Sequence, residues 1–505
     1  MKKLSLPAKG FPFMTISYNW LCDYLPDNLL QKPGPETVSR ILTSVGLEVE
    51  TLQPYSSVRG GLEGLVVGEV ISVEPHPNAD KLKITRVNIG SGENLQIVCG
   101  ANNVATNQRV VVAPVGTTIY PESGEPVLIK EAKIRGMESA GMLCAEDEIG
   151  LGKNHDGILV LPHSLRPGMA VADHFKPYSD YIYEIGLTPN HMDAMSHMGV
   201  ARDICAYLSH QDNKDYRIKI PATSPAGSEN HDKEIKVILE NHRDCGRYSS
   251  LTMTGIRISE SPKWMQEKLK SVGIRPINNI VDITNYILQE TGQPLHAYDA
   301  GQIRGNQIIV KNLPAGTPFI TLDERERKLD AEDLMICDAE GPLCIAGVFG
   351  GLNSGIKNST SELFLESAWF NPSAIRRTSF RHNLRTDAAI HFEKGMDISG
   401  TVNALKRAAS LIREYGGGRI SSALSDIYPE PFPGTQILLK YHYLKKLSGK
   451  NYHSLSVKKI LLSLGFEILR EGMDDLLIAV PLHKPDIQQP ADLVEEIMRI
   501  DGYDH

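Results

Sequence analysis

The stretch from Leu65 to Ile129 restricts the fold of this chain more than any other. Apolar and β-branched residues come in short runs, Leu65–Val73, Leu82–Ile89, Ile97–Cys99, Val110–Ala113 and Val127–Ile129, punctuated by glycine and turn residues. Runs this short, at this spacing, predict five strands. Few short strands cannot bury two faces of an open sheet, so the segment is expected to close into a small barrel.

Five strands is also the count of the oligonucleotide-binding barrel. The loop Glu74-Pro-His-Pro-Asn-Ala-Asp-Lys-Leu82 joins the first two runs. Its prolines stiffen the backbone while Asn78 and Asp80 favour a turn. His76 is read as a turn residue, since no second ligand stands at zinc-type spacing. Lys81, Lys83 and Arg86, with Lys130, Lys133 and Arg135, form either a basic rim or ordinary solvated charge. With 53 basic against 61 acidic residues the net charge is −8. Nucleic-acid binding must therefore come from local patches rather than the global field.

Before the barrel, Val38, Ile41, Leu42 and Val45 share one helix face, Gly46 stops the helix, and Leu47–Glu50 alternates as a strand. Residues 457–468 repeat that unit in register, with Val457, Ile460, Leu461, Gly465 and Glu467 identical to their counterparts. The unit is either duplicated or arose twice by chance. Ala201, Ile204, Cys205 and Leu208 mark a helix, and the polar segment Gln211–Lys233 a linker. Residues 1–13 read as a loose extension.

At 505 residues, with 41% hydrophobic and 23% charged content, the chain needs several cores. Its seven cysteines form no Cys-x-x-Cys pair and read as reduced thiols. No apolar run reaches the ~18 residues of a membrane span, and no signal-peptide core is present. A cytoplasmic location is expected.

Residues 363–395 combine a carboxylate in an apolar run with a local cluster of cations. Glu366 stands among Leu363, Phe364, Leu365, Ala368, Trp369 and Phe370, where an unpaired carboxylate is costly to desolvate. Arg376, Arg377, Arg381, His382 and Arg385 follow at once. This is either a polar pocket in an apolar wall beside a phosphate-binding surface, or a core-edge glutamate paired with an arginine. Upstream, Arg275 and His296 are the polar residues of interest. Ile345-Ala-Gly-Val-Phe-Gly-Gly351 is a glycine-flanked turn where backbone N–H groups could approach a ligand.

Taken together, Met14-Thr-Ile-Ser-Tyr-Asn-Trp-Leu, His76-Pro-Asn-Ala-Asp-Lys-Leu, Gly292-Gln-Pro-Leu-His-Ala-Tyr-Asp, Gly347-Val-Phe-Gly-Gly, Leu365-Glu-Ser-Ala-Trp-Phe, Arg385-Thr-Asp-Ala and Glu495-Glu-Ile-Met-Arg-Ile-Asp-Gly-Tyr resemble, in order and spacing, the β subunits of bacterial phenylalanyl-tRNA synthetases. The resemblance covers residues 14–505. It implies an α+β multidomain fold: a small N-terminal α+β domain (14–60 and 173–212) with an inserted five-stranded oligonucleotide-binding barrel (61–172), an α+β editing domain (213–430) and a small α+β domain (431–505). It also implies that the chain stops short of a synthetase-like and an anticodon-binding domain.

The resemblance further implies tRNA(Phe) binding and hydrolysis of mischarged Tyr-tRNA(Phe), with aminoacylation, Mg2+ and ATP belonging to the full complex with an α subunit, two of each chain. No cofactor or metal is expected in this chain. Glu366, Gly350, Thr386, Ala388 and Asn285 would line the editing pocket and Glu366 would accept the tyrosine hydroxyl. Arg275 and His296 would meet the ester and terminal adenosine. Arg377, Arg381, Arg385, Lys81 and Lys83 are assigned to tRNA. The alternatives are a scaffold that only binds tRNA or a partner chain, and a metal-dependent hydrolase using His296, Glu366 and His391. The latter lacks any His-Glu-x-x-His motif.

Overall fold

The structure is a computed structural model that describes residues 13–29, 32–223 and 227–503. The extension expected at the N-terminus falls outside these residues except for Phe13, which opens the strand Phe13–Ser17. Two compact units divide the chain, one formed by residues 54–180 and one by the segments on either side. No helix among the described residues is long and apolar enough to cross a membrane.

The 54–180 unit is built on an antiparallel sheet. Strands Val66–Pro75, Lys83–Asn88, Asn94–Cys99 and Arg109–Pro114 fall on four of the five predicted runs. The fifth run differs. Val127–Leu128 pairs only with Thr118–Ile119 in a separate hairpin, and Gly141–Leu143 takes the expected place beside Arg109–Pro114. The reason lies in exposure: Val127 and Leu128 are 46% and 50% exposed, too solvated for a barrel stave, whereas Leu143 is buried. The sheet curls until its ends meet, where the Ala140 N–H donates to Gln96 O at 2.9 Å and the Val98 N–H to Ser139 Oγ at 3.1 Å. Val70, Val87, Ile97, Val110 and Val112 fill one core. A Cβ on Gly68 would stand 2.5 Å from Val112 and 2.7 Å from Val87, so only glycine fits that narrow interior.

The other unit contains one small module twice. In the first copy come the strand Phe13–Ser17, the helices Tyr18–Cys22 and Pro35–Ser44, the strands Glu48–Ser56 and Ser179–Gly186, and the helix His197–Gln211. In the second come Thr435–Lys440, the helices Tyr441–Ser448 and Ser454–Ser463, the hairpin Glu467–Glu471 and Asp475–Val480, and the helix Pro490–Asp501. Both sheets run in spatial order first, third, second. The helix stops match in detail. Gly46 and Gly465 share φ +87, and each faces a histidine ring 3.3 Å from where a Cβ would stand, His191 in one copy and His483 in the other. The repeat read in the sequence is thus a repeat of fold, and residues 57–178 take the place of the turn between its second and third strands.

Between the copies lie two facing sheets. One has Lys236–Leu239, Gln307–Asn312, Leu334–Cys337, Pro342–Ile345 and Phe349–Gly350 in sequence order; the other centres on Glu362–Phe370, paired to Cys245–Thr254 and Leu295–Asp299. The period-2 alternation of Glu362–Phe370 decides what its side chains meet. Leu363 and Leu365 join the core of the helices Asn279–Thr291 and Thr401–Gly416. Phe364, Ala368 and Phe370 join the core of the facing sheet. Glu366 has the parity of the second set.

Candidate active site

Antiparallel pairing places His296 directly opposite Glu366, with Ser250 opposite it on the other side. Directly opposed residues share a face, so His296, its strand neighbour Tyr298 and Glu366 converge. Glu366 Oε2 accepts hydrogen bonds from Tyr248 Oη at 2.6 Å and Tyr298 Oη at 3.1 Å. Oε1 has no hydrogen bond to a described residue. Among the described residues the carboxyl has no arginine partner, and this decides against the core-edge ion pair as the alternative role. Burial pushes it up to about 7, with the two phenols pulling the other way. Burial likewise raises both tyrosines well above the ordinary phenol range.

His296 stands edge-on to the Tyr298 ring, with centroids 4.3 Å apart. Burial lowers its pKa to about 4, so the imidazole is neutral at pH 7. Its Nε2 is buried with no hydrogen-bond partner among the described residues. Gly350 lies alongside: a Cβ there would come 3.4 Å from His296 Cε1 and 3.0 Å from Leu322 Cδ1. Leu322 holds the turn from the far side, its N–H donating to Gly350 O at 3.0 Å. Gly347 has φ +67 and sits against Phe370, Ile375 and Phe392, so the left-handed backbone and the packing both require glycine.

Thr386 caps the helix Asp387–Lys394, accepting from the Ala389 N–H, and donates its hydroxyl to Val348 O at 2.9 Å. That bond ties the helix to the glycine turn. Ala388, half-buried, packs against the same core. Asn285 is half-buried on the helix Asn279–Thr291, and Arg275 is exposed on the loop before it. Neither makes a side-chain hydrogen bond or ion pair to Glu366 or His296 among the described residues. His391 is committed elsewhere, its Nδ1 facing Asp387 O at 2.9 Å and its Nε2 facing Met195 O at 3.3 Å. Among the described residues no group of three or more His, Cys, Asp or Glu side chains is arranged to hold a metal ion.

The cationic candidates separate sharply. Arg377 and Arg381 lie on the helix Pro372–His382, but Arg385 does not share their face, because Asn383 ends the helix with φ +52. Arg381 is paired to Asp333 at 2.5 Å and Glu332 at 3.2 Å, and Arg377 to Glu332 at 3.6 Å. Arg385 pairs with Glu393 at 3.0 Å. Lys83 donates to Asn102 O at 3.1 Å and Val104 O at 3.3 Å, pinning a loop, while Lys81 is exposed. His76 takes the Asn78 N–H on Nδ1 at 3.0 Å and lies 3.2 Å from Ile134 O, which makes it the turn residue expected.

Tyr248 and Tyr298 went unread as site residues in the sequence. For Tyr298 a signal existed, since it stands two residues from His296 on one strand. Tyr248 is 118 positions from Glu366 and gave none.

Comparison with known proteins matches residues 244–417 to the B3/4 domain, residues 65–170 to a tRNA binding domain, and residues 437–503 to the tRNA synthetase B5 domain. The phenylalanine–tRNA ligase beta subunit of Bacteroides thetaiotaomicron is 49% identical over 495 residues, covering 97% of this chain and 59% of that protein. Those of Porphyromonas gingivalis and Geobacter metallireducens are 46% and 42% identical with the same coverage of each chain. The chain thus spans somewhat over half the length of these relatives. Carrying the three domains in this order, at this identity along nearly all its length, it belongs to the family of phenylalanine–tRNA ligase beta subunits.

Proposed function

We propose that this chain binds tRNA(Phe) and hydrolyses Tyr-tRNA(Phe) at the Glu366 site, while a separate alpha subunit, in an assembly of two alpha and two beta chains in the cytoplasm, carries aminoacylation with Mg2+ and ATP. The curled sheet of the 54–180 unit serves as an oligonucleotide-binding barrel for the tRNA. Residues 213–430 act as the editing domain, flanked by the α+β domains of 14–60 with 173–212 and of 431–505.

Glu366 carries this reading. A synthetic pocket shaped for a phenyl ring rejects an added hydroxyl by only ~100-fold, so tyrosine must be removed afterwards. At Glu366 the preference reverses. A carboxylate oxygen already surrounded by phenols has a second oxygen to offer, and a tyrosyl phenol donates to it. A phenylalanyl ring would leave that buried acceptor dry and unpaired, at a cost of about 1–3 kcal/mol.

The ester then lies toward His296 and Gly350. Water attacks the carbonyl carbon, the C–O bond to the ribose breaks, and tyrosine leaves with the tRNA restored to a free hydroxyl. With a pKa of about 4, His296 is too weak a base to take the water proton efficiently at pH 7. Its neutral, unpartnered Nε2 instead orients the water or ester, and the neighbouring ribose hydroxyl holds the attacking water. Arg275, exposed on the loop before the helix Asn279–Thr291, is assigned to the ester and terminal adenosine, and Asn285, Thr386 and Ala388 to the pocket wall. Of the five cations expected to meet tRNA, Arg385 and Lys81 are assigned to its backbone, whereas Arg377, Arg381 and Lys83 are given to the fold, held by Glu332, Asp333 and the carbonyls of Asn102 and Val104.

The test is deacylation by this chain alone of Tyr-tRNA(Phe) against Phe-tRNA(Phe). Selective release of tyrosine is expected. Binding of tRNA with release of neither amino acid would reduce the chain to a scaffold.

A further inference from the structure

The last turn of the helix Pro372–His382 carries an aromatic ring that no part of the fold uses. Phe380 is 59% exposed. The Arg376 guanidinium lies 5.8 Å and that of Arg385 5.3 Å from its ring centroid. Together with Lys394, Glu393 and the apolar wall of Leu187 and Met192, these residues line a cavity of about 480 Å³. That is room for a nucleotide.

The positive charge in this cavity is only partly compensated, three cations facing one carboxylate. Arg376 and Lys394 have no carboxylate partner among the described residues, and Arg385 shares Glu393 alone. Burial, with Arg385 adding to it, holds the Lys394 ammonium below its ordinary pKa, so an incoming anion would stabilise its charged form. The one acid is also unfinished: Glu393 Oε2 is buried with no hydrogen-bond partner among the described residues, on a side chain only 9% exposed. On the same helix, Arg377 and Arg381 are neutralised by Glu332 and Asp333. One face of the helix is therefore spent on structure and the other is not.

An aromatic platform flanked by guanidiniums, with a further cation and one acceptor for an amine or a ribose hydroxyl, is the chemistry of single-stranded RNA recognition. We propose that this cavity seats the single-stranded RNA preceding the esterified end, one base stacked on Phe380 and its arginines, and backbone phosphates on Arg376, Arg385 and Lys394. This rests on the hydrolytic reading only for its location: Arg385 immediately precedes Thr386, whose hydroxyl is bonded to the glycine turn of that site.

The test needs no hydrolysis. Binding to the whole chain is measured by fluorescence anisotropy for an RNA hairpin with a four-nucleotide 3′ single strand ending CCA, and for the same hairpin trimmed blunt. In the wild-type chain the single strand is expected to tighten binding about tenfold. Phe380→Ala and Arg376→Glu should lose most of that gain, whereas Arg377→Ala keeps it. Unchanged circular dichroism is expected for Phe380→Ala, since the ring is exposed. No gain from the single strand in the wild type, or a full gain in Phe380→Ala, overturns the seat. Loss of the gain in the presence of an equal concentration of AMP would make it a mononucleotide site and overturn the RNA assignment. A chain that shows the gain yet releases no tyrosine would fail the hydrolytic reading and leave the seat standing.

Discussion

Two buried carboxylates in this chain are treated in opposite ways. Glu496 is enclosed with cations: Arg499 Nε reaches it at 2.6 Å and Lys484 Nζ at 3.0 Å, and the same arginine takes Asp203 bidentately at 3.0 Å on each oxygen. Lys484 adds Asp193 at 2.6 Å. Burial pushes Glu496 up, but the two cations outweigh it and hold its pKa far below the usual range. Glu366, equally buried, has only two phenols and is raised to about 7. The first carboxylate is saturated and fixes structure. The second is left needing a donor, which is what a specificity site requires. Arg499 also reaches Val45 O at 3.4 Å, so the saturated network joins the first module to the second.

The strongest way to break this contrast is Arg499→Ala. It leaves Asp203 and Glu496 buried without their shared cation, and stability should fall by about 3–5 kcal/mol, read from the denaturant midpoint. A change under about 1 kcal/mol would mean that the network is solvated. Glu366→Ala should do the reverse, keeping the midpoint while hydrolysis of Tyr-tRNA(Phe) drops roughly 100-fold, the scale of a lost buried hydrogen bond to a charged group. Equal turnover in the variant would remove Glu366 from the pocket.

His296→Ala is expected to lower kcat about tenfold with KM little changed, and Gln to recover part of it, as for a group that orients rather than accepts a proton. A smaller effect comes from pH. The Glu366 pKa is raised from 4.5 to about 7 in the folded chain, so the fold is favoured as pH falls through about 7 and loses that contribution as pH rises through it. Relative to Glu366→Gln, the wild-type midpoint should therefore rise between pH 8 and pH 5, while the KM for tyrosyl ester worsens as the charged acceptor disappears. A parallel pair of curves would show that the carboxyl titrates normally. Arg377→Ala, whose charge Glu332 already meets at 3.6 Å, should alter tRNA affinity less than twofold, and a larger loss would return it to the binding surface.

Much of this was legible in the chain, and the gaps have physical causes. Val457, Ile460, Leu461 and Gly465 announced the second module because helix period and glycine stop are local signals. Glu366 was legible as a buried acid because its neighbours on the strand are apolar. Its partners were not, since Tyr248 reaches it only through strand pairing. The fifth barrel strand was misplaced because Val127–Leu128 and Gly141–Leu143 look equally β-prone, and burial alone separates them. That Arg385 leaves the face shared by Arg377 and Arg381 is not legible in the chain, because nothing in a four-residue spacing shows that Asn383 turns left-handed. His391 looked available as a ligand until its two ring nitrogens were found against backbone carbonyls.

The duplicated module bears on how the chain can be rebuilt. In the second copy the strands Glu467–Glu471 and Asp475–Val480 are closed by a tight turn in which the Gly472 N–H donates to Asp475 O at 2.9 Å. In the first copy the same position gives way to residues 57–178, whose ends run together where the Ser57 N–H meets Tyr178 O at 2.8 Å. Nature has thus supplied the splice for its own insertion. Grafting residues 472–474 between Ser56 and Ser179 should yield a barrel-free chain that keeps the Glu366 pocket, because shortening a closed loop relieves the entropy of closure. The 54–180 unit and the Glu366 pocket would then be separable parts, open to exchange one at a time.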